Sequence, residues 1–332
     1  MRFKLAARFL LFAGLCVYLT SVDMLLREGF TAQNSRIVFS TSRHHNFDIY
    51  VMDADGGNQE RLTDKSARDV DPTWSPDRTK IAFVSDRGGG GHQIYVMDAR
   101  GKRAIKLTDG PRGKGDLDWS PDGRKIAFTS WDGQDRRKWE NPRINVMDAD
   151  GNNPFKLTDG LSPSWSPDGR RIAFTAGSNW KAQICVIGVD GNGLKRVTKG
   201  AALKGMPAWS PDGKRIAYTA FFLEVGTFHI YVIGADGKNR VRLTHNLEDH
   251  FAPSWSLDGR LIAYVWGPDI FVNPPRKIRL MTADGKFLKQ LSGDHHGNEY
   301  DPDFGPVSLA VSPASNKTTT WGRLKKHASD LP

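Results

Sequence analysis

One five-residue phrase, W-S-P-D-G or a close variant of it, occurs five times in this chain at nearly even steps of 44 to 46 residues. Its tryptophans are Trp74, Trp119, Trp165, Trp209 and Trp255. A fixed period in this range is typical of repeat architectures, in which each period is one structural unit. The repeat therefore limits the possible folds more strongly than any other feature of the sequence.

Each copy reads as four short β-strands. Runs such as "KIAFVS" follow the Pro-Asp-Gly stretch, runs such as "IYVMDA" come next, and runs such as "RLTD" end the copy. Proline fixes φ, aspartate favours a turn and glycine tolerates positive φ, so Pro-Asp-Gly predicts a hairpin. The Asp-Gly pair of "DADG" predicts a two-residue hairpin between the third and fourth strands. We expect four antiparallel strands per copy, with the tryptophan at the end of the innermost one.

Four-stranded units repeated around a ring are the blades of a β-propeller, and the recurring tryptophan is suited to pack between neighbouring blades. A degenerate sixth copy places Phe304 at the tryptophan position, whereas the first copy lacks an innermost strand. A carboxy-terminal strand can therefore complete the amino-terminal blade. The prediction is an all-β, six-bladed propeller over residues 36–306, closed in this way and anchored by Trp74, Trp119, Trp165, Trp209, Trp255 and Phe304.

The phrases "DPTWSPD", "KIAFVSDR", "QIYVMDA" and "KLTD" resemble the TolB-type propeller repeat, also called the PD40 or WD40-like repeat. The resemblance covers about four fifths of the chain. It implies a six-bladed, periplasmic or extracellular scaffold that binds proteins. The separate amino-terminal α/β domain of TolB has no counterpart before the first strand, so the resemblance does not extend to a Tol–Pal role.

The two ends differ from the repeat. Residues 1–35 begin with basic side chains and continue with a 14-residue apolar run at 9–22, which is the length of a signal peptide's apolar region. These features predict a signal peptide or a signal anchor. The protein is therefore expected to be periplasmic or secreted, or to be tethered to the outer face of the inner membrane. Residues 307–332 form a polar, basic tail.

The net charge of +10 is spread over many turns. A dispersed charge indicates a solvated surface, so we expect a protein or peptide partner and no nucleic acid. Cys185 is alone in the propeller, which leaves packing to stabilise it. We expect a monomer.

The connections between strands two and three and between blades vary most, and they share one face of a propeller. Variable loops on a regular scaffold commonly carry function, and aromatic and arginine side chains suit protein interfaces. The binding candidates on this face are Trp131, Arg136, Arg137, Trp139, Trp180, Phe222 and Trp266.

The position three residues before the anchoring tryptophan or Phe304 is an aspartate in three successive blades. These residues are Asp71, Asp116 and Asp301. Carboxylates that converge on a channel mouth can bind Ca²⁺, whereas each aspartate can also accept hydrogen bonds from nearby backbone. No nucleophile elbow, phosphate-binding loop or zinc-protease motif occurs. The predicted function is an exported, non-catalytic scaffold of the cell envelope without a cofactor. The alternative is a calcium-dependent hydrolase or lactonase that uses the channel mouth.

Overall fold

The structure, a computed structural model, describes residues 35–44, 46–64, 66–89, 91–133, 140–177, 181–222, 226–268, 275–293 and 297–307. In these ranges 24 strands form six four-stranded antiparallel sheets arranged as a ring. The predicted six-bladed propeller is therefore confirmed. Within these ranges no helix has both the length and the hydrophobicity of a membrane span.

The blades are numbered along the chain, and their strands are given from the channel outwards. Blade 1 contains β24 (Glu299–Val307), β1 (Ser35–Thr41), β2 (Asp48–Asp53) and β3 (Glu60–Arg61). Blade 2 contains β4 (Asp69–Trp74), β5 (Lys80–Ser85), β6 (Gln93–Asp98) and β7 (Ile105–Lys106). Blade 3 contains β8 (Gly113–Trp119), β9 (Lys125–Asp132), β10 (Glu140–Asp148) and β11 (Phe155–Asp159).

The remaining blades follow the same order. Blade 4 contains β12 (Leu161–Trp165), β13 (Arg171–Ala176), β14 (Gln183–Gly188) and β15 (Lys195–Arg196). Blade 5 contains β16 (Leu203–Trp209), β17 (Arg215–Phe222), β18 (Thr227–Gly234) and β19 (Val241–Arg242). Blade 6 contains β20 (Asp249–Trp255), β21 (Leu261–Gly267), β22 (Lys277–Thr282) and β23 (Phe287–Gln290).

The ring closes in blade 1, as the sequence predicts. The last strand, β24, pairs antiparallel with the first, β1, so that Ile37 lies opposite Phe304 and Ser35 opposite Val307. The inner edge of β1 is thereby paired, which removes a site for strand-to-strand aggregation.

The hairpins between first and second strands and those between third and fourth strands lie on one face, which we call the turn face. The two kinds of hairpin touch there; in blade 2, for example, the Ala99 N–H donates to the Thr79 carbonyl at 3.0 Å. The remaining connections lie on the opposite face, which we call the loop face.

The predicted two-residue Asp-Gly hairpin on the turn face is wrong. In blade 1 the Asp53 N–H donates to the Gly57 carbonyl, and the Gly56 N–H donates to the Asp53 carbonyl, at 2.9 and 2.8 Å. The loop thus holds three residues, and only Gly56, at φ +84°, is left-handed. A two-residue type I′ turn needs positive φ at both central positions, which Asp55 does not supply.

The outermost strands are short, and threonine side chains extend them. Four of the six span only two residues. Just beyond β3, the Thr63 hydroxyl oxygen accepts the Ile49 N–H at 2.9 Å, in place of a further backbone bond. Thr108, Thr198 and Thr244 do the same in blades 2, 4 and 5. This contact explains the threonine of the repeated Leu-Thr or Val-Thr pair.

The core consists of the interfaces between blades. Trp74 of blade 2, for example, packs with Ile49, Val51 and Leu62 of blade 1. The six anchors are all between 5 and 8% exposed. Since a single sheet cannot cover both of its faces, each anchor fills the gap that the neighbouring blade leaves. The repeated phrase is thus a packing motif.

Candidate binding site around the central channel

The innermost strands surround a central channel of about 180 Å³. Among the described residues that line it, the acidic side chains belong to β24, β4 and β8, which are neighbours in the ring. Proline, serine and alanine line the wall that the other three blades supply. One half of the channel is therefore acidic and the other half carries no charge. The acidic residues are Asp71, Asp116, Asp118, Asp301 and Asp303.

The position three residues before each anchor has an unusual backbone. Asp71, Asp116 and Asp301 have φ of 52°, 49° and 53°. The equivalent residues Ser162, Met206 and Ala252 are also left-handed. In every blade the pairing of the innermost strand shifts here, which marks a β-bulge. The position is thus set by backbone geometry, whatever side chain it carries.

The three carboxylates at this position fasten neighbouring parts of the ring. Asp71 Oδ2 accepts the Asp116 N–H at 3.0 Å, and Asp116 Oδ2 accepts the Ser162 N–H at 3.2 Å. Asp301 Oδ2 accepts the Ser40 hydroxyl at 3.2 Å. Within the ranges described above, no group of three or more His, Cys, Asp or Glu side chains could hold a metal ion. Asp71 and Asp116 thus accept hydrogen bonds from backbone, whereas the bond to Asp301 comes from a side chain.

A second ring of contacts lies one residue before the anchors. Asp118 Oδ2 accepts the Trp165 N–H at 2.6 Å, and Asp303 Oδ2 accepts the Trp74 N–H at 2.9 Å. Burial, reinforced by the charge of Asp303, raises the pKa of Asp118 to about 8. Burial likewise raises the pKa of Asp303 to about 6. Poor solvation penalises the charged form of a carboxyl group, so both groups hold a proton more strongly than an exposed aspartate does.

A run of aromatic rings follows the loop-face mouth of the channel from blade 5 to blade 1. The rings are in contact in spatial order, with centroid separations of 4.6, 6.2, 6.3 and 5.8 Å. We call this run the aromatic arc; it consists of Phe221, Phe228, Phe251, Tyr300 and Phe47. Tyr300 directly precedes Asp301 of the channel wall, so the arc borders the acidic half.

Two arginines lie on the aromatic arc. The Arg276 guanidinium is 4.7 Å from the Phe251 centroid and 5.4 Å from that of Tyr300. The Arg68 guanidinium is 4.5 Å from the Phe47 centroid, and Arg68 is exposed. Stacked guanidinium groups keep their edges available for carboxylates while covering apolar surface. Phe221 and Phe251 are buried, so the arc offers a partner the half-buried rings of Phe228, Tyr300 and Phe47 together with the two arginines, beside an acidic channel.

Sequence reasoning missed polar side chains that face each other across interfaces between blades on the loop face. The first position lies in the third strand of one blade, and the second lies five residues before the next anchor. Lys114 Nζ donates to Gln93 Oε1 at 2.9 Å between blades 2 and 3, and the His229 and His250 rings lie 6.2 Å apart between blades 5 and 6. At the other interfaces the same positions hold Asp48 and Asp69, Gln183 and Lys204, and Lys277 and Glu299, whereas between blades 3 and 4 they hold Arg143 and Gly160, which has no polar side chain. Only the constant offset from the anchor could have revealed them, because the residue types differ.

Three of the predicted binding candidates lie within the described ranges. Trp131 is fully buried, so in this structure it packs and offers no surface to a partner. Phe222 is half-buried against Tyr231, at 5.8 Å between centroids. Trp266 is half-buried; Arg279 lies 3.5 Å above its ring, and its indole N–H donates to Glu248 at 2.7 Å. The candidates Arg136, Arg137, Trp139 and Trp180 lie outside the described residues.

Comparison with known proteins agrees with this geometry. The family model described as the TolB β-propeller domain (PD40) matches residues 27–138 and 132–269. A TolB homolog from Chlorobium chlorochromatii (strain CaD3) is 43% identical over 56 residues, which are 17% of this chain and only 13% of that protein.

Solved structures share the fold. TolB from Acinetobacter baumannii superposes with a TM-score of 0.69 at 23% identity, over 83% of this chain and 67% of that one. A TolB of Agrobacterium tumefaciens gives 0.61 at 22% identity, over 82% of this chain and 99% of that one. Because the family model matches well over half of the residues, the chain belongs to the TolB β-propeller domain family.

Proposed function

We propose that this chain is an exported, non-catalytic scaffold whose loop face binds a protein or peptide partner in the cell envelope. The observation that carries the proposal is the aromatic arc with its stacked Arg276 and Arg68. Interfaces that bind proteins are enriched in aromatic and arginine side chains, which combine large contact area with directed hydrogen bonds. Similarity to TolB proteins supports the same class of role.

Export is supported by the amino-terminal sequence. A basic start followed by an apolar run at residues 9–22 is typical of signal segments. A periplasmic or secreted location follows from this interpretation.

The catalytic alternative receives less support from the site. It needs a tightly held calcium ion at Asp71, Asp116 and Asp301, whose carboxylates already accept hydrogen bonds from neighbouring backbone and side chains. Among the described residues that line the channel there is also no histidine, cysteine or lysine to act as a base or nucleophile.

The proposal is tested by photo-crosslinking in intact cells from matched positions. Leu247, 75% exposed, precedes β20 on the loop face, whereas Leu257, 50% exposed, lies in a turn-face hairpin. A photoreactive residue at position 247 should give one discrete adduct, and an Arg68→Ala/Arg276→Ala variant should reduce its yield at least fivefold. Equal adducts from position 257, or a yield that the double variant leaves unchanged, would show that the loop face is not the binding surface.

A further inference from the structure

Both ends of the described chain leave the propeller on the turn face. Ser35, the first residue of β1, lies beside a turn-face hairpin, because its carbonyl accepts the Ala54 N–H at 2.9 Å. Val307, at the end of β24, is paired with Ser35. Residues 1–34 and 308–332 therefore both connect to this face.

The sequences of these two segments are suited to a membrane. The apolar run at residues 9–22 is separated from Ser35 by residues 23–34, which span about 40 Å at most when fully extended. The other segment carries Trp321 with Arg323, Lys325 and Lys326. An apolar segment held in a bilayer would thus keep the turn face close to the lipid surface.

The turn face carries a cluster of cations next to this exit point. The two hairpins of blade 2 meet where Ala99 bonds to Thr79, and they bring five basic side chains together. We call them the blade-2 patch: Arg78, Lys80, Arg100, Lys102 and Arg103. Among the described residues none of the five forms an ion pair.

The carboxylates within the blade-2 patch serve the turns themselves. Asp77 Oδ1 accepts the Ser75 hydroxyl and the Thr79 N–H at 2.7 and 3.1 Å. Asp98 Oδ1 accepts the Arg100 and Lys102 N–H groups at 3.0 and 2.9 Å. Five cations against two carboxylates leave a net positive surface, and Ile105 beside it is 64% exposed. Cations next to an exposed apolar side chain are typical of lipid-binding surfaces.

A second pair of cations lies on the opposite side of the turn face. Lys214 and Lys238 lie on the turn face of blade 5, where the Ala235 N–H bonds to the Lys214 carbonyl at 2.9 Å, and both lysines are exposed. Blades 2 and 5 lie on opposite sides of the ring. A small anion could reach only one of these patches, whereas a plane touches both.

We propose that the turn face docks on an anionic lipid surface, with residues 1–34 as the tether, so that the loop face points away from the membrane. This surface is separate from the aromatic arc. Loss of lipid docking would leave partner binding at position 247 intact, and loss of partner binding would leave docking intact.

The test measures which face of the full chain lies against lipid. A fluorophore is attached to Leu257→Cys on the turn face or to Leu247→Cys on the loop face, in a Cys16→Ser/Cys185→Ala background. The protein is reconstituted into vesicles of phosphatidylcholine alone or with 30% phosphatidylglycerol, each doped with a headgroup quencher. With phosphatidylglycerol present, we expect at least threefold stronger quenching of the probe at position 257 than of the probe at 247. Vesicles of phosphatidylcholine alone should show no such difference. The difference should also disappear at 0.5 M NaCl, because salt screens exposed charges.

Charge variants provide the matched control. Lys102→Glu/Arg103→Glu should abolish the difference between the two probes, since each cation near an anionic surface favours binding roughly fivefold. Lys181→Glu/Lys199→Glu, on the loop face, should leave it unchanged. Equal quenching of both probes, or quenching independent of phosphatidylglycerol or of the blade-2 charges, would overturn the proposal.

Discussion

At the scale of single residues, the carboxyl group of Asp118 ties the stability of the ring to pH. Its pKa of about 8 in the folded protein lies well above the value of 3.8 for an unperturbed aspartate. Between these values the folded state holds more protons than the unfolded state, so stability falls as pH rises. The loss is complete above pH 8, where the folded state too must ionise this poorly solvated group.

Asp118→Asn is therefore expected to stabilise the protein at alkaline pH. The amide oxygen can still accept the Trp165 N–H, and nothing remains to ionise. We expect a gain of roughly 2 kcal/mol or more at pH 9 and little change at pH 4, since one pKa unit corresponds to about 1.4 kcal/mol. Urea unfolding at pH 4, 7 and 9 measures it, and parallel stability curves for the two proteins would contradict it.

Trp131 shows why an aromatic side chain in a variable stretch is a poor guide to a surface. Its ring lies against Gly113, where an added Cβ would come within 2.3 Å of it. The sequence shows both residues, yet only the pairing of β8 with β9 places them opposite each other. An exposed position could not have been distinguished from this buried one by composition alone.

At the scale of strands, the left-handed bulge is a shared element of all six blades. Four different residue types occupy it, at φ between 49° and 53°. Residues with a Cβ are strained there by about 1–2 kcal/mol, whereas glycine is not. Sequence reasoning identified the position from its aspartates, but it could not identify the bulge, because Met206 and Ala252 carry no signal for it.

Ala252→Gly tests this strain without removing a polar contact. We expect it to stabilise the protein by about 0.5 kcal/mol, as relief of strain exceeds the added flexibility of glycine in the unfolded chain. The matched control is Ala217→Gly in β17, whose backbone is not left-handed and which should lose about 1 kcal/mol or more. Both are measured by thermal unfolding, and equal losses in the two variants would exclude strain at the bulge.

At the scale of the whole molecule, the number of blades and their closure could be predicted because one phrase repeats at a constant period. The polar contacts between blades could not, since the contact of Gln93 with Lys114 and that of His229 with His250 have no residue type in common. Their diversity has a physical effect. A blade placed at the wrong interface would bury a mismatched charge, which costs several kcal/mol. The differing contacts thus disfavour the packing of a blade against any blade other than its neighbour in the ring.

The closing strand is expected to control local opening of the ring. Phe304 packs with Ile37 and Phe39 of β1 and with Leu261 of blade 6. Phe304→Ala should lose about 3–5 kcal/mol. Because each blade contacts only its neighbours, hydrogen exchange should accelerate most in β1 and β2 and least in β13 and β14 of blade 4. Uniform acceleration in all six blades would argue against opening at blade 1.

The pairing of Ser35 with Val307 also determines how the ring responds to mechanical force. The two ends leave from the same end of one antiparallel strand pair, so tension between them would load the hydrogen bonds of β1 and β24 in sequence rather than all together. Such a pair separates like a zipper and yields at low force. A partner that pulled on the carboxy-terminal segment of a membrane-held molecule would open blade 1 first and expose the inner strand of the ring.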